Sequence, residues 1–285
     1  DIIQGDFGDS IRFSRPVTQI LIERLPMTIE LSTSALFLAL VVGVSLGVAS
    51  AMRHNSIVDL STMMMANVGV SMPVFWLGLM LIWVFAAILG WLPPSGRLTA
   101  GLISVPFYEV WGWTLEEGTV PFRFADFTSN FFIFNSLITG DWEIFWDAIK
   151  HLILPAIALS TIPMSIIARM TRSSLLDVLG REYVRTARAK GARERRVVAR
   201  HALRNALLPV VTIIGLQMGG LLSGAVLTET VFSLAGAGTM LFEAITARDF
   251  PVIQGFVIVI ATAYVIINLA VDVSYAYLDP RIRLE

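Results

Sequence analysis

No cysteine occurs in the 285 residues, which excludes disulfides, thiolate metal sites and cysteine nucleophiles at once and leaves the redox compartment unreadable. Lysine is nearly absent too, found only at positions 150 and 190, and no GxxxxGK(S/T) sequence is present to cradle a phosphate. His54, His151 and His201 stand far apart without HExxH spacing, so no zinc site is expected. Neither a GxSxG elbow nor an acid pair inside an apolar run offers catalytic groups. Charge itself is scarce, at 15% of residues against 55% hydrophobic, which is too little to coat a soluble globule of this size. A bilayer is the expected solvent. The formal net charge of −1 leaves no basic surplus for a nucleic-acid partner. These absences predict a membrane protein that is not an enzyme and holds no cofactor or metal of its own.

What the chain has in abundance is long apolar runs. A spanning helix needs about 20 mostly apolar residues, and five stretches lack Asp, Glu, Lys and Arg: 31–52, 60–96, 152–168, 205–228 and 250–271. The second exceeds one span and is expected to end at Trp91-Leu92-Pro93-Pro94, an interfacial aromatic followed by a helix stop. The third is short and is expected to continue through Arg169 toward Thr171, the arginine's stem carrying its charge to the interface. The expected fold is therefore all-α, a polytopic helical bundle of five spans. Residues 1–26 open on Asp1 and lack the basic start and apolar core of a signal peptide; they read as an extracytoplasmic amino-terminal segment with a processed or truncated start.

Charge is distributed unevenly between the runs. Residues 97–150 carry three Lys or Arg against seven Asp or Glu, whereas residues 169–204 carry eleven against three. By the positive-inside rule the basic loop is cytoplasmic, and alternation then places the amino terminus and the 97–150 loop outside. The turn Arg53-His54-Asn55 and the tail with Arg281 and Arg283 fall inside, so the carboxyl terminus is expected to be cytoplasmic. The Trp-, Phe- and Glu-rich 97–150 loop is expected to fold as a small external cap.

The basic loop, roughly 171–208, holds the most specific pattern: Glu182 to Thr212 reads EYVRTARAKGARERRVVARHALRNALLPVVT. Residues 183–190 are a short run of helix formers ended by Gly191, the residue best able to close a helix in the left-handed conformation. Glu182 and Lys190 suit the two ends of its dipole. Ala187 and Ala189 leave room for another surface, and Arg185 and Arg188 share a face from which to grip a partner's carboxylates or carbonyls. A second helix from about Arg193 returns to the membrane before Pro209. Two readings stay open on these grounds: a plug for a protein socket, or an amphipathic helix on anionic membrane lipid.

These residues are also recognisable. The stretch RMTRSSLLDVLGREYVRTARAKG ending at Gly191, with HALRNALLPVVT from His201, resembles the EAA loop of ABC-transporter permeases, most of all the dipeptide/oligopeptide family and its first-subunit branch. The likeness extends to RLPMTIELS at 24–32, WLPPSGR at 91–97, LTETVFS at 227–233 and DPRIR at 279–283. It implies a type I ABC importer permease fold, with six spans in the family and the first missing here, and residues 27–285 as the permease transmembrane domain. It further implies that Glu182, Tyr183, Arg185, Thr186, Ala187, Arg188, Ala189, Lys190 and Gly191 couple to an ATPase. The implied partners are two ABC ATPase subunits that bind the ATP and Mg, a second homologous permease forming a heterodimer, and an extracytoplasmic substrate-binding protein. The implied location is the bacterial inner membrane, and the implied cargo di- or oligopeptides, with nickel, glutathione or oligosaccharide as alternatives. Leu203-Arg204 stands where the general pattern has Leu-Pro, as is usual in the peptide branch. Ala235 replaces a common Pro, which predicts a less stiff loop there.

Polar residues inside the runs are few, and Asn67, Gln217 and Asn268 are the candidates for lining a path for a peptide backbone. Gly43 and Gly47 have the small-xxx-small spacing of internal packing; Gly215, Gly219, Gly220 and Gly224 read as a smooth face for a second subunit. An ion-coupled transporter would be expected to show ionisable groups at span centres or repeated broken helices. A plain membrane anchor is the remaining rival.

Overall fold

In the computed structural model, residues 7–278 are described, and they are helical and irregular without a named strand; one isolated antiparallel bridge joins Asp9 and Pro16. In order the helices are α1 (Val17–Met52), α2 (Ile57–Ser71), α3 (Val74–Leu81), α4 (Phe107–Val110), α5 (Val120–Ser129), α6 (Phe132–Thr139), α7 (Trp142–Leu179) and α8 (Glu182–Ala189). They continue with α9 (Glu194–Arg196), α10 (Leu203–Ala206), α11 (Leu208–Gly224), α12 (Val226–Val231), α13 (Ala237–Ala247) and α14 (Phe250–Leu278). Among the described residues three helices are long and apolar enough to cross a membrane, and up to five if each of two interrupted pairs is one span. DPRIR and the basic tail lie outside the described residues.

Three of the expected spans are redrawn. The 60–96 run breaks at Met72, whose extended backbone (φ −82°, ψ 129°) follows from Pro73, because a residue before proline is driven out of the α region. The helix resumes as α3, continues in wider turns over Ile82–Ile88, and stops at Gly90 (φ +63°), ahead of the Trp91-Leu92-Pro93-Pro94 stop expected from sequence. The 152–168 run is the middle of α7, 38 residues long, which starts where Asp141 accepts a hydrogen bond from the Ile144 N–H. The 205–228 run divides between α11 and α12, and the helical stretch 194–206 meets 208–222 at 52°.

The chain forms two compact units. Among the described residues, the first comprises 7–34, 74–159 and 221–262. Its core joins Val17, Ile20 and Leu21 of α1 to Ala237, Met240 and Ala244 of α13 and to Val252 and Phe256 of α14. Within 97–150, α4, α5 and α6 pack around Phe107, Tyr108 and Ala125, and Asn135 ties the segment by accepting from the Phe107 N–H (2.8 Å) and donating to the Val105 carbonyl (2.7 Å). Burial, with Asp126, Glu109 and Glu117 nearby, pushes the Tyr108 hydroxyl up to about 12.

The second unit comprises, among the described residues, 35–73, 160–220 and 263–278. Here α1 meets α7 backbone to backbone: a Cβ on Gly43 would lie 2.7 Å from the Met164 carbonyl, and one on Gly47 2.6 Å from the Ala168 carbonyl. Such close approach is what small residues permit. Ala39, Ile167 and Val210 form one core, and Ala51, Leu175, Ala202 and Ala206 another. Gly215 and Gly219 do not present an open face, as expected for a second subunit; Val271 and Tyr264 of α14 fill the space beside them. Gly220 alone of these three is open.

Candidate functional site

The hairpin after α7 is built from α8 and a sharp turn. Arg181, extended at φ −70° and ψ 148°, starts α8, and Lys190 ends it. Gly191 takes φ +77°; its N–H donates to the Arg188 carbonyl (2.9 Å), and the Ala192 N–H to the Ala187 carbonyl (3.3 Å). These two bonds are the paired closure of a helix by a left-handed glycine. α8 then packs on the returning turns at Val197–Ala202. Its single inward anchor is Val184, fully buried, above a returning segment whose Val197, Val198 and Ala202 are buried as well.

The outer surface of α8 is open. Glu182, Tyr183, Arg185, Thr186, Arg188, Ala189, Lys190 and Gly191 are exposed, and Ala187 is half-buried. Two side-chain bridges brace the hairpin. Asn205 donates to the Tyr183 hydroxyl at 2.8 Å. Arg188 donates through Nε and Nη2 to both oxygens of Glu194, at 3.1 and 2.6 Å. An exposed pair of this kind adds at most about 1 kcal/mol, so it orients more than it stabilises. Of the two arginines expected to share a face, Arg188 is engaged within the hairpin by Glu194, while the Arg185 side chain makes no hydrogen bond or ion pair among the described residues.

Seven residues before the end of α7, Arg172 ties the hairpin's stem to its neighbours. It donates to both oxygens of Asp59 on α2 (2.7 and 2.8 Å), and Asp59 also accepts from Ser50 of α1 and from the Asn55 N–H. Asp59 is buried, so each of its lone pairs needs a donor, and the cluster makes a stiff junction of three helices.

Asn67, Gln217 and Asn268 are not drawn together by any hydrogen bond among the described residues. Gln217 and Asn268 are half-exposed on α11 and α14. Asn67 is exposed on α2, and its Oδ1 accepts from Nη1 of Arg169 at 3.4 Å. Arg169 was expected to carry its charge to the interface; side chains on a helix lean toward its N-terminus, and its guanidinium reaches Asn67 of α2.

Sequence reasoning missed two buried polar clusters in the first unit. Glu30 of α1 accepts from Arg97 (3.1 Å) and from the Ile133 N–H (3.0 Å), while Arg97 also donates to the Asn130 carbonyl (2.7 Å) and lies 3.7 Å over the Phe132 ring. Glu229, fully buried in α12, accepts from Thr28 (2.6 Å) and from the Thr239 N–H (2.8 Å) at the start of α13. A Cβ on Gly236 would collide with the Glu229 carboxylate. This carboxylate pins the loop that Ala235 was expected to loosen. An acid next to an apolar run is the signal that should have prompted a search for its partners.

Comparison with known proteins bears on this arrangement. Residues 43–284 match the family described as binding-protein-dependent transport system inner membrane component. The chain is 47% identical, over 99% of its length and 79% of the relative's, to the dipeptide transport system permease protein of Alkalihalophilus pseudofirmus. It is 44% identical to the di/tripeptide transport system permease protein of Pseudomonas aeruginosa, over 99% of this chain and 78% of that one. For the dipeptide transport system permease protein of Escherichia coli the figures are 43%, 99% and 78%. Among solved structures, an inward-facing MetNI methionine ABC transporter chain aligns with a TM-score of 0.63 at 16% identity, covering 92% of this chain and 97% of that one. This last likeness is one of fold, that of a type I ABC importer permease.

Proposed function

The chain belongs to the family of binding-protein-dependent transport system inner membrane components, and on that premise we propose that it is the permease subunit of an ATP-driven importer of di- and oligopeptides. The observation that supports this most is the hairpin: a short, exposed, cationic helix closed by Gly191 and mounted on a stiff helix junction, in a chain that aligns almost end to end with dipeptide permeases. Hydrolysis belongs to separate ATPase subunits, and an extracytoplasmic binding protein delivers the cargo.

Residues 182–191 dock in a cleft of an ATPase that binds ATP and Mg, with the exposed Arg185 as the leading cation. A second, homologous permease completes a heterodimer around the pathway. The basic loop faces the cytosol, as does the carboxyl terminus, and residues 97–150 face outward. When two ATPases close on ATP, each hairpin moves as a body, and the Arg172–Asp59–Ser50 junction passes that motion to α1, α2 and α7. Coupling of this type needs two discrete states and a stiff connection.

Arg185→Glu tests the docking. In proteoliposomes holding the complete importer, peptide uptake per ATP hydrolysed is expected to fall by about tenfold or more, roughly 1.4 kcal/mol of lost coupling. Membrane insertion should be unchanged, because Arg185 has no partner to lose within the described chain. Undiminished uptake would end the docking assignment.

A further inference from the structure

Arg169 is out of place for a residue that lies on lipid. Asp59 and Arg172 mark the end of α2 and α7 nearest the basic hairpin. Asn67 is eight residues further along α2, which at 1.5 Å per residue is about 12 Å along the helix away from that end. Small groups let the two helices touch at this level: a Cβ on Gly69 would lie 2.9 Å from Ser165 Oγ of α7. Arg169 leans toward this level of α2 and its guanidinium ends beside Asn67.

Both residues are exposed, and among the described residues no carboxylate lies within ion-pair distance of Arg169. Its one hydrogen bond is to a neutral amide, which orients the guanidinium and leaves its charge and four further N–H donors unspent. A bare cation facing hydrocarbon is costly, and such residues in spans face water-filled cavities or partners. The surroundings are receptive as well. One turn beyond Asn67, exposed Ser71 is followed by the break at Met72, where helix geometry is interrupted. Interrupted spans of this kind line substrate paths near the bilayer midplane.

We propose that Arg169, oriented by Asn67, is a cationic station on the translocation pathway that takes the carboxylate of a passing peptide; this rests on the peptide-importer reading above. A free peptide always carries that carboxylate whatever its side chains, so one arginine serves cargoes of many sequences. A two-pronged guanidinium-to-carboxylate contact supplies the binding, and the aqueous path keeps it weak enough for release.

The absence of cysteine makes the test direct. Ser71→Cys replaces one small polar group by another, and the complete importer carrying it is exposed in proteoliposomes to a negatively charged and a positively charged methanethiosulfonate. Each rate is divided by that with a small free thiol. The anionic reagent is expected to be favoured by about tenfold, the order given by a unit charge about 6 Å away in water. Arg169→Gln should bring the ratio near one, and Asn67→Asp, which supplies a pairing carboxylate, should do the same if the glutamine variant fails to assemble. Dipeptide-loaded binding protein with ATP should slow the anionic reagent. No reaction with either reagent would place this face against lipid or the second permease, and a ratio unmoved by Arg169→Gln and Asn67→Asp would remove the charge from the path; either result overturns the proposal. Dipeptide uptake is measured alongside. Its absence in the unaltered importer counts against the transport reading, while the reagent ratio still decides the station.

Discussion

Glu229 shows how one side chain organises a loop and leaves a titration behind. Its carboxylate is fully buried and receives hydrogen bonds from Thr28 and Thr239, with no cation to balance it among the described residues. Burial raises its pKa above the usual 4.5 or so, and the hydrogen bonds from Thr28 and from the Thr239 and Gly238 N–H groups recover only part of that shift. Between the unfolded and folded values the folded chain holds the extra proton, so the contribution to stability is complete below about pH 4.5 and is lost as pH rises through the folded value. In detergent, thermal stability of the unaltered chain should therefore decline over that window. Glu229→Gln keeps an acceptor for Thr239 and removes the charge, so this part of the pH slope should vanish; an identical slope in the variant would refute the assignment. Glycine matters at this site for sterics, since Gly236 has an ordinary negative φ of −99° and is needed only because the carboxylate occupies the space of a side chain.

Among the elements, α8 depends on its closure. Gly191 sits at φ +77° and donates to Arg188; proline can do neither, since its φ is held near −65° and it has no N–H. Gly191→Pro is expected to cost more than about 1 kcal/mol locally and to uncouple ATP hydrolysis from uptake, while the long helices keep the protein in the membrane. Comparing ATPase rate with peptide uptake in the same vesicles checks it, and parallel behaviour of the two would refute it. The interrupted elements repay comparison with their sequences. The break after α2 was written in Met72-Pro73, yet an unbroken apolar run of 37 residues concealed it, because hydropathy averages over backbone geometry. The start of α7 at Trp142 was hidden for the opposite reason: charged Glu143, Asp147 and Lys150 truncate the apolar run although they continue the helix.

At the scale of the whole molecule, the uneven charge predicts orientation. With no native cysteine, Arg185→Cys should react with an impermeant reagent only from the cytosolic side, and Phe124→Cys, at a site 70% exposed on α5, only from outside. Labelling of both from the same side would overturn the topology and with it the docking of the hairpin. The two interrupted spans are a feature that an ion-driven transporter would also show. They leave the reading intact, because the family match covers residues 43–284 and the alignment with a dipeptide permease covers 99% of this chain.

Composition and pattern alone established that this chain lives in a membrane, that its spans are helical, where its basic hairpin lies and which residue closes it. Each of these follows from local chemistry: apolar length, charge placement, and the backbone freedom of one glycine. Which cations are free was decided only in three dimensions. Arg172 and Arg169 stand three residues apart on one helix and look alike in the sequence, yet the first is locked to Asp59 and the second meets only an amide. Their partners sit more than 100 residues away, and which of them arrives beside each arginine depends on how closely α2 packs against α7, a distance set by Gly69 and Ser165.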